Sequence, residues 1–174
     1  MEQKEVRVLL EQVAGGKLDI DEAMLKLKEA PFEDLGFAKP DYHRALRQGI
    51  AEVIYGAGKT PEQIHDIVAS MVQQGQKSIL ITRMSSEAAE AVEQDFILKY
   101  DKYSRLGLVG EIPEPDGIGK VVVAAAGTSD LPVAEEAAQT AECFGNEVVR
   151  LYDVGVAGLH RLLAHREEIM TARV

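Results

Sequence analysis

Gly127, Thr128, Ser129 and Asp130 follow a run of small apolar residues, Val121 to Ala126, and precede Leu131-Pro132-Val133-Ala134-Glu135-Glu136. A strand, a glycine turn and a helix start, in that order, set hydroxyls, a carboxylate and backbone N–H groups at the positive end of a helix. Such a place suits a phosphate or a ribose. Gly127 is expected to take a backbone conformation closed to other residues and to let a ligand approach closely. Ser129 or Asp130 acting only as a helix cap accounts for the same residues. A second group follows in Asp153, Gly155, Val156, Ala157, Gly158, His160 and Arg161. Gly155 and Gly158 allow close backbone contact, Arg161 offers a planar fork for a phosphate, and His160 can donate to it or shuttle a proton. Asp130 suits a ribose hydroxyl or a magnesium ion, and Asp153 is a similar but weaker candidate. The competing readings are a surface ion pair for Arg161 and a capping role for His160.

These residues need a platform, and the alternation of elements supplies one. Strands at 120–126 and 147–152 alternate with helices at 131–144 and 159–172, which implies parallel pairing with right-handed crossovers. In such a sheet the ligand crevice lies outside the carboxyl ends of the strands. Both residue groups leave such ends, so neighbouring strands would bring them to one crevice.

Upstream, Val6, Leu9, Leu10 and Val13 recur at helical spacing before Gly15-Gly16, and Asp19 with Glu22 resembles a capping box for a second helix with Ala23, Leu25, Leu27 and Ala30 on its apolar face. Residues 1–30 are therefore expected to form a helical hairpin. A small α/β domain is expected over 31–112. Its elements are a strand at 52–55, a helix from Thr60-Pro61 to Gly75 with Ile64, Ile67, Val68, Met71 and Val72 on its core face, and a strand at 77–82. A helix capped by Ser85 or Ser86 and an extended stretch from Tyr103 to Ile112 complete it. Pro113 to Gly119, with two prolines and two glycines, reads as a linker. Residues 120–174 form the last unit.

Other chemistry-bearing residues are less pointed. Tyr42, His43, Arg44 and Arg47, with Lys59, form a basic and aromatic group that suits either a site-covering role or simple solvation. Gly56-Ala57-Gly58-Lys59-Thr60 ends like a phosphate loop but lacks the first glycine at its proper spacing. No spacing of the four histidines encodes a metal site: His160 and His165 are five apart, which is not the separation of ligands on one helix face. Cys143 falls in the last turn of a helix, the negative end, which disfavours a thiolate and indicates packing.

The chain has 174 residues, a formal net charge of −10 and a single cysteine. That charge repels nucleic acid, and no apolar run approaches the ~20 residues that span a bilayer. One cysteine forms no internal disulfide, so a cytoplasmic setting is the simplest expectation.

The run Ala125 to Ala137 resembles the signature of the LarB family, whose catalytic domain is similar to PurE, the aminoimidazole ribonucleotide mutase. Gly127 to Asp130 matches part of PurE's Gly-Ser-x-Ser-Asp loop. The segments Asp153 to Leu162, Phe32 to Lys39 and Glu52 to Thr60 resemble LarB rather than PurE. The resemblance implies an α/β chain in which the helical hairpin and small α/β domain precede the first part of a PurE-like parallel-sheet, three-layer α/β domain. It also implies an enzyme that carboxylates nicotinic acid adenine dinucleotide with CO2 or bicarbonate and hydrolyses its phosphoanhydride. The products are AMP and pyridinium-3,5-biscarboxylic acid mononucleotide, the precursor of the nickel-pincer cofactor of lactate racemase. Magnesium would assist, with no tightly bound organic cofactor and no membrane or nucleic-acid partner, in a homo-oligomer, an octamer for the parent. By the same resemblance Gly127, Thr128, Ser129, Asp130, Asp153, Gly155, Val156, Ala157, Gly158, His160 and Arg161 bind the substrate, and His160 and Asp130 take part in catalysis. The family's nucleophilic cysteine and a Gly-Met-Glu-Gly segment are expected beyond Val174, so this chain alone is expected to be inactive. Val156 and Ala157 stand where PurE has a histidine and an arginine, which argues against the PurE substrate. A PurE-type mutase and a non-catalytic nucleotide-binding module remain the alternatives.

Overall fold

The computed structural model describes residues 3–28 and 32–174. Helices α1 (Gln3–Ala14) and α2 (Ile20–Lys28) form the N-terminal hairpin. Gly16 turns the chain between them with a φ of 66°, where a side chain would be strained. The Asp19 carboxylate caps α2 by accepting the Asp21 N–H at 2.9 Å. Leu9 and Ala23 are buried, whereas Leu10 and Leu25, expected on the apolar faces, are exposed. Ala30, expected on the same face as Leu25, lies outside the described residues.

The next unit holds a short α3 (Arg44–Gln48), a mixed four-stranded sheet and two longer helices. Strands β1 (Val53–Tyr55), β2 (Ser78–Thr82), β3 (Leu98–Asp101) and β4 (Leu106–Gly110) lie in the order β1-β2-β4-β3. Strand β1 runs parallel to β2, and the other two pairings are antiparallel. Helix α4 (Pro61–Gln73) begins with a complete capping box. Thr60 Oγ1 accepts the Gln63 N–H at 3.2 Å, and Gln63 Oε1 accepts the Thr60 N–H at 3.0 Å. Helix α5 (Ser86–Glu93) is capped by Ser85, which accepts the Ala88 N–H at 3.2 Å.

Side-chain alternation along the strands gives this sheet two apolar faces. Ile54, Ile79, Ile81 and Val109 pack with Ile64, Ile67, Val68, Met71, Ala88 and Val92 of α4 and α5. Leu80, Leu106 and Leu108 face the other way, with Val53, and meet Cys143. Val72, expected on the core face of α4, is exposed. Strand β3 is an addition to the expected elements. Its four residues are only half-buried or exposed, so they carry no apolar run that marks a strand.

Strands β5 (Lys120–Ala124) and β6 (Glu147–Leu151) pair in parallel, from Lys120 opposite Glu147 to Ala124 opposite Leu151. Helix α6 (Leu131–Cys143) connects them. It packs on β5 and β6 and also closes the second apolar face of the first sheet through Cys143. This helix therefore belongs to the cores of both sheets. The long final helix expected over 159–172 is instead α7 (Leu159–Ala164) and α8 (Arg166–Thr171). The break falls at His165, whose N–H bonds back three residues to the Leu162 carbonyl at 3.1 Å, tightening the last turn of α7. The chain is of the α/β class, with mixed and parallel sheets covered by helices. Among the described residues no helix is long and apolar enough to cross a membrane.

Candidate functional site

Because β5 and β6 are parallel neighbours, the loops that leave them emerge from one edge. The backbone joins the two loops directly. Ala125 donates to the Leu151 carbonyl at 3.0 Å, Val154 to Ala125 at 3.1 Å, and Gly155 to Ala126 at 3.2 Å. These bonds consume the ends of the strand expected to reach Ala126, so β5 stops at Ala124 and the crevice begins there. A Cβ on Gly155 would lie 2.9 Å from the Ala126 carbonyl oxygen, so the approach of the loops requires glycine.

Thr128 to Asp130 form a single 3-10 turn ahead of α6. Gly127 has a φ of −146°, an ordinary extended conformation. The expected special backbone conformation is therefore absent. The space where its Cβ would stand has nothing within 4 Å, which leaves room for a ligand but no conformational demand for glycine. Asp130 braces this turn: its N–H donates to the Gly127 carbonyl at 3.0 Å and its Oδ2 accepts the Gly127 N–H at 3.3 Å. Thr128, Ser129 and Asp130 are all exposed.

In the second loop Asp153 sits in the left-handed region, φ 58°, and its carboxylate is bound by the Arg161 guanidinium. Gly158 makes room for that guanidinium, since a Cβ there would lie 2.6 Å from Arg161 Nε. Arg161 thus has the ion-pair partner of the plainer reading, on a loop beside Gly127 to Asp130. His160 occupies the first turn of α7 and is exposed. Val156 and Ala157, in a short 3-10 turn, are exposed as well. On the joined loops Ser129, Asp130, Asp153 and His160 are exposed and Arg161 is half-buried.

The first sheet contributes residues that the sequence did not single out. Tyr103, in the turn between β3 and β4, donates its hydroxyl to the Thr128 carbonyl at 3.5 Å. Arg83, directly after β2, donates to Glu136 Oε1 at 2.8 Å, near the start of α6. Arg105 donates to the Arg83 carbonyl at 3.2 Å and the Met84 carbonyl at 3.4 Å. Arg83 follows the carboxyl end of a strand, which is the one sequence signal that marks it.

Tyr42 and Arg44 do not reach the crevice. Tyr42 is buried, with its hydroxyl on Glu33 at 3.0 Å and against Ser70, and Arg44 pairs with Glu52 at 3.5 Å. The Arg47 side chain lies outside the described residues. A cavity of about 480 Å³ lined by Ala45, Glu52, Leu80, Pro113 and Cys143 marks that end of the molecule. The thirteen residues of α6, about 20 Å at helical rise, separate it from the loops. Burial, with Glu142 beside it, pushes the Cys143 thiol up to about 11, so it is no nucleophile at neutral pH. Arg150 binds Glu142 at 2.5 and 2.8 Å and Glu135 at 3.3 Å, and Tyr152 donates to Glu135 at 2.9 Å. Burial and that carboxylate push the Tyr152 phenol up to about 12. This network ties α6 to β6. Among the described residues no three His, Cys, Asp or Glu side chains converge as metal ligands. Asp130 and Asp153 build no cage for magnesium, which would have to be held largely by a substrate's own phosphates.

Residues 32–111 match the LarB/PurE-like N-terminal domain. The chain is also 34% identical over 166 residues to an uncharacterized protein of Methanocaldococcus jannaschii, a match covering 91% of this chain. It spans 65% of that relative's length. The matched domain is the unit of β1 to β4, and the candidate loops follow it in the chain. Over residues 32–111, the chain is similar to the LarB/PurE-like N-terminal domain.

Proposed function

We propose that this chain supplies the nucleotide-binding crevice of an enzyme that carboxylates nicotinic acid adenine dinucleotide with CO2 and hydrolyses its phosphoanhydride, yielding AMP and pyridinium-3,5-biscarboxylic acid mononucleotide. The observation that carries this reading is the joining of the Gly127–Asp130 and Asp153–Arg161 loops at one sheet edge, beside a LarB/PurE-like domain. Thr128 and Ser129 offer hydroxyls and N–H groups to a phosphate, Asp130 accepts from a ribose hydroxyl, and Arg161 turns from Asp153 toward phosphate oxygens. His160 is the exposed group that can hand a proton to the leaving phosphate.

A pyridinium carbon is electron-poor and does not attack CO2. A thiolate adding to the ring creates an enamine-like carbon that does, and loss of the ring proton followed by expulsion of the thiolate restores aromaticity. Cys143, whose thiol is pushed up to about 11 by burial, is unsuited to that step. Magnesium enters with the dinucleotide's phosphates. The reading includes a homo-octamer and a cytoplasmic setting.

Val156 and Ala157 carry no proton-transfer group, which disfavours a PurE-type mutase. A non-catalytic nucleotide-binding module is separated by experiment. Calorimetric titration should show nicotinic acid adenine dinucleotide binding to this chain, weakened by Ser129→Ala and Asp130→Asn. Mass spectrometry with labelled bicarbonate and magnesium should find labelled mononucleotide and AMP from the longer relative and none from this chain. Tight binding of an aminoimidazole ribonucleotide in place of the dinucleotide would overturn the reading, and so would a longer relative that binds without turnover.

A further inference from the structure

The end of the first sheet carries a feature that the two loops do not explain. Arg83 and Arg105 both adopt left-handed backbone conformations, with φ of 53° and 59°. Such conformations are uncommon for long side chains and cluster where a structure over-determines a local geometry. Arg83 directly follows β2 and Arg105 directly precedes β4, where Met84 donates to the Arg105 carbonyl at 2.8 Å and Arg105 donates back to Met84 and Arg83. Two guanidinium groups are thereby brought to one edge of a chain whose net charge is −10.

Their partners differ. Arg83 is held by Glu136, which sits on α6 close behind the Gly127–Asp130 turn. Arg105 is exposed and, among the described residues, bonds only to carbonyl oxygens, leaving the rest of its donor fork without a carboxylate. Tyr103, two residues before it, is half-exposed and touches the loop itself through Thr128. A fork with free donors, a second guanidinium and a flat aromatic face thus border the loop proposed to hold a nucleotide. A nucleoside monophosphate matches that set: its dianion suits the planar forks and its base suits the ring.

We propose that Arg105, Arg83 and Tyr103 form a subsite for the adenylate half of the dinucleotide, extending the crevice across to the first sheet. The identity of the ligand rests on the function proposed above, while the phosphate chemistry of the subsite does not. Arg105 supplies the fork, Arg83 joins it by exchanging Glu136 for the phosphate, and Tyr103 packs on the base. Binding would replace the Arg83–Glu136 bridge with one through the phosphate, beside the Tyr103–Thr128 contact.

The test is calorimetric titration of this chain with AMP, adenosine and nicotinic acid mononucleotide, each probe used alone. Arg105→Gln should weaken AMP by about tenfold or more and leave the mononucleotide within about twofold. Ser129→Ala should show the opposite pattern. Arg105→Lys should recover only part of the loss, because it keeps charge but not the fork. Adenosine should bind at least about tenfold more weakly than AMP. Circular dichroism of each variant must match the parent for the comparison to count, and Tyr103→Ala gives an independent second variant with the same expected loss of AMP. Absence of AMP binding by the unmodified chain at millimolar concentration overturns the subsite, as does AMP affinity unmoved by both Arg105→Gln and Tyr103→Ala. AMP bound through Arg105 with no affinity for the mononucleotide or dinucleotide would sustain the subsite and sink the dinucleotide reading.

Discussion

Arg161 reaches back across Gly158 to the carboxylate of Asp153, closing the second loop with an ion pair. The pair fixes a guanidinium beside the Gly127–Asp130 turn while holding it partly neutralised. The placement of this guanidinium depends on Gly158, because a methyl group there would stand 2.6 Å from Arg161 Nε and force the side chain away. Gly158→Ala is expected to weaken nucleotide binding about three- to tenfold, roughly 1 kcal/mol. Its melting temperature should stay close to the parent's, since the group that yields is a flexible, partly exposed side chain. Titration with the dinucleotide checks this, and unchanged affinity would remove Arg161 from the site.

Gly155 and Gly127 are predicted to behave oppositely, although both are loop glycines at the same edge. A methyl at Gly155 meets backbone, the Ala126 carbonyl oxygen at 2.9 Å, which cannot move without breaking the bonds that join the loops. Gly155→Ala should cost about 1–3 kcal/mol in urea unfolding. At Gly127 the backbone is extended and nothing stands within 4 Å, so Gly127→Ala should leave stability unchanged. Any loss of nucleotide binding by Gly127→Ala then reports a ligand in that space.

Local chemistry explains which parts of this fold were legible in the sequence. Thr60-Pro61 with Gln63 spells a helix start in adjacent residues, and the structure builds that capping box. The run Val121 to Ala124 forms a strand beside Val148 to Leu151, so the two loops meet at one edge, as neighbouring strands were expected to bring them. Leu98–Asp101 was not legible because its strand character comes from pairing with β4 rather than from an apolar pattern. The break at His165 was hidden because no proline or glycine marks it. Arg83 meets Glu136 and Tyr103 meets Thr128 only because α6 packs on both sheets, a tertiary fact with no local signature. Gly127 misled for the opposite reason: glycine permits a special conformation without requiring one.

Cys143 should be chemically quiet. Burial, with the Glu142 carboxylate beside it, pushes its thiol up to about 11, so almost none is thiolate at neutral pH. Iodoacetamide at about pH 8 should label the native chain far more slowly than the urea-unfolded chain, whose thiol returns to about 8.5. Rapid native labelling would show that α6 does not seal the second face of the first sheet.

His65 on α4 bonds Asp95 through Nε2 at 2.8 Å and tilts against the Phe96 ring at 5.6 Å. The Asp95 hydrogen bond raises the imidazole above its ordinary value of 6.5, outweighing the opposing effect of burial. A raised folded-state value means that the folded chain binds the proton more tightly than the unfolded chain does. The resulting stability is fully present below about pH 6.5 and is lost as pH rises through the raised value. The pair is partly solvated, so the effect should be a few tenths to about 1 kcal/mol. Urea midpoints measured near pH 6 and near pH 8 should show a His65→Gln variant losing more, relative to the parent, at the lower pH. An equal loss at both values would mean that His65 acts through packing on Phe96 and not through its charge.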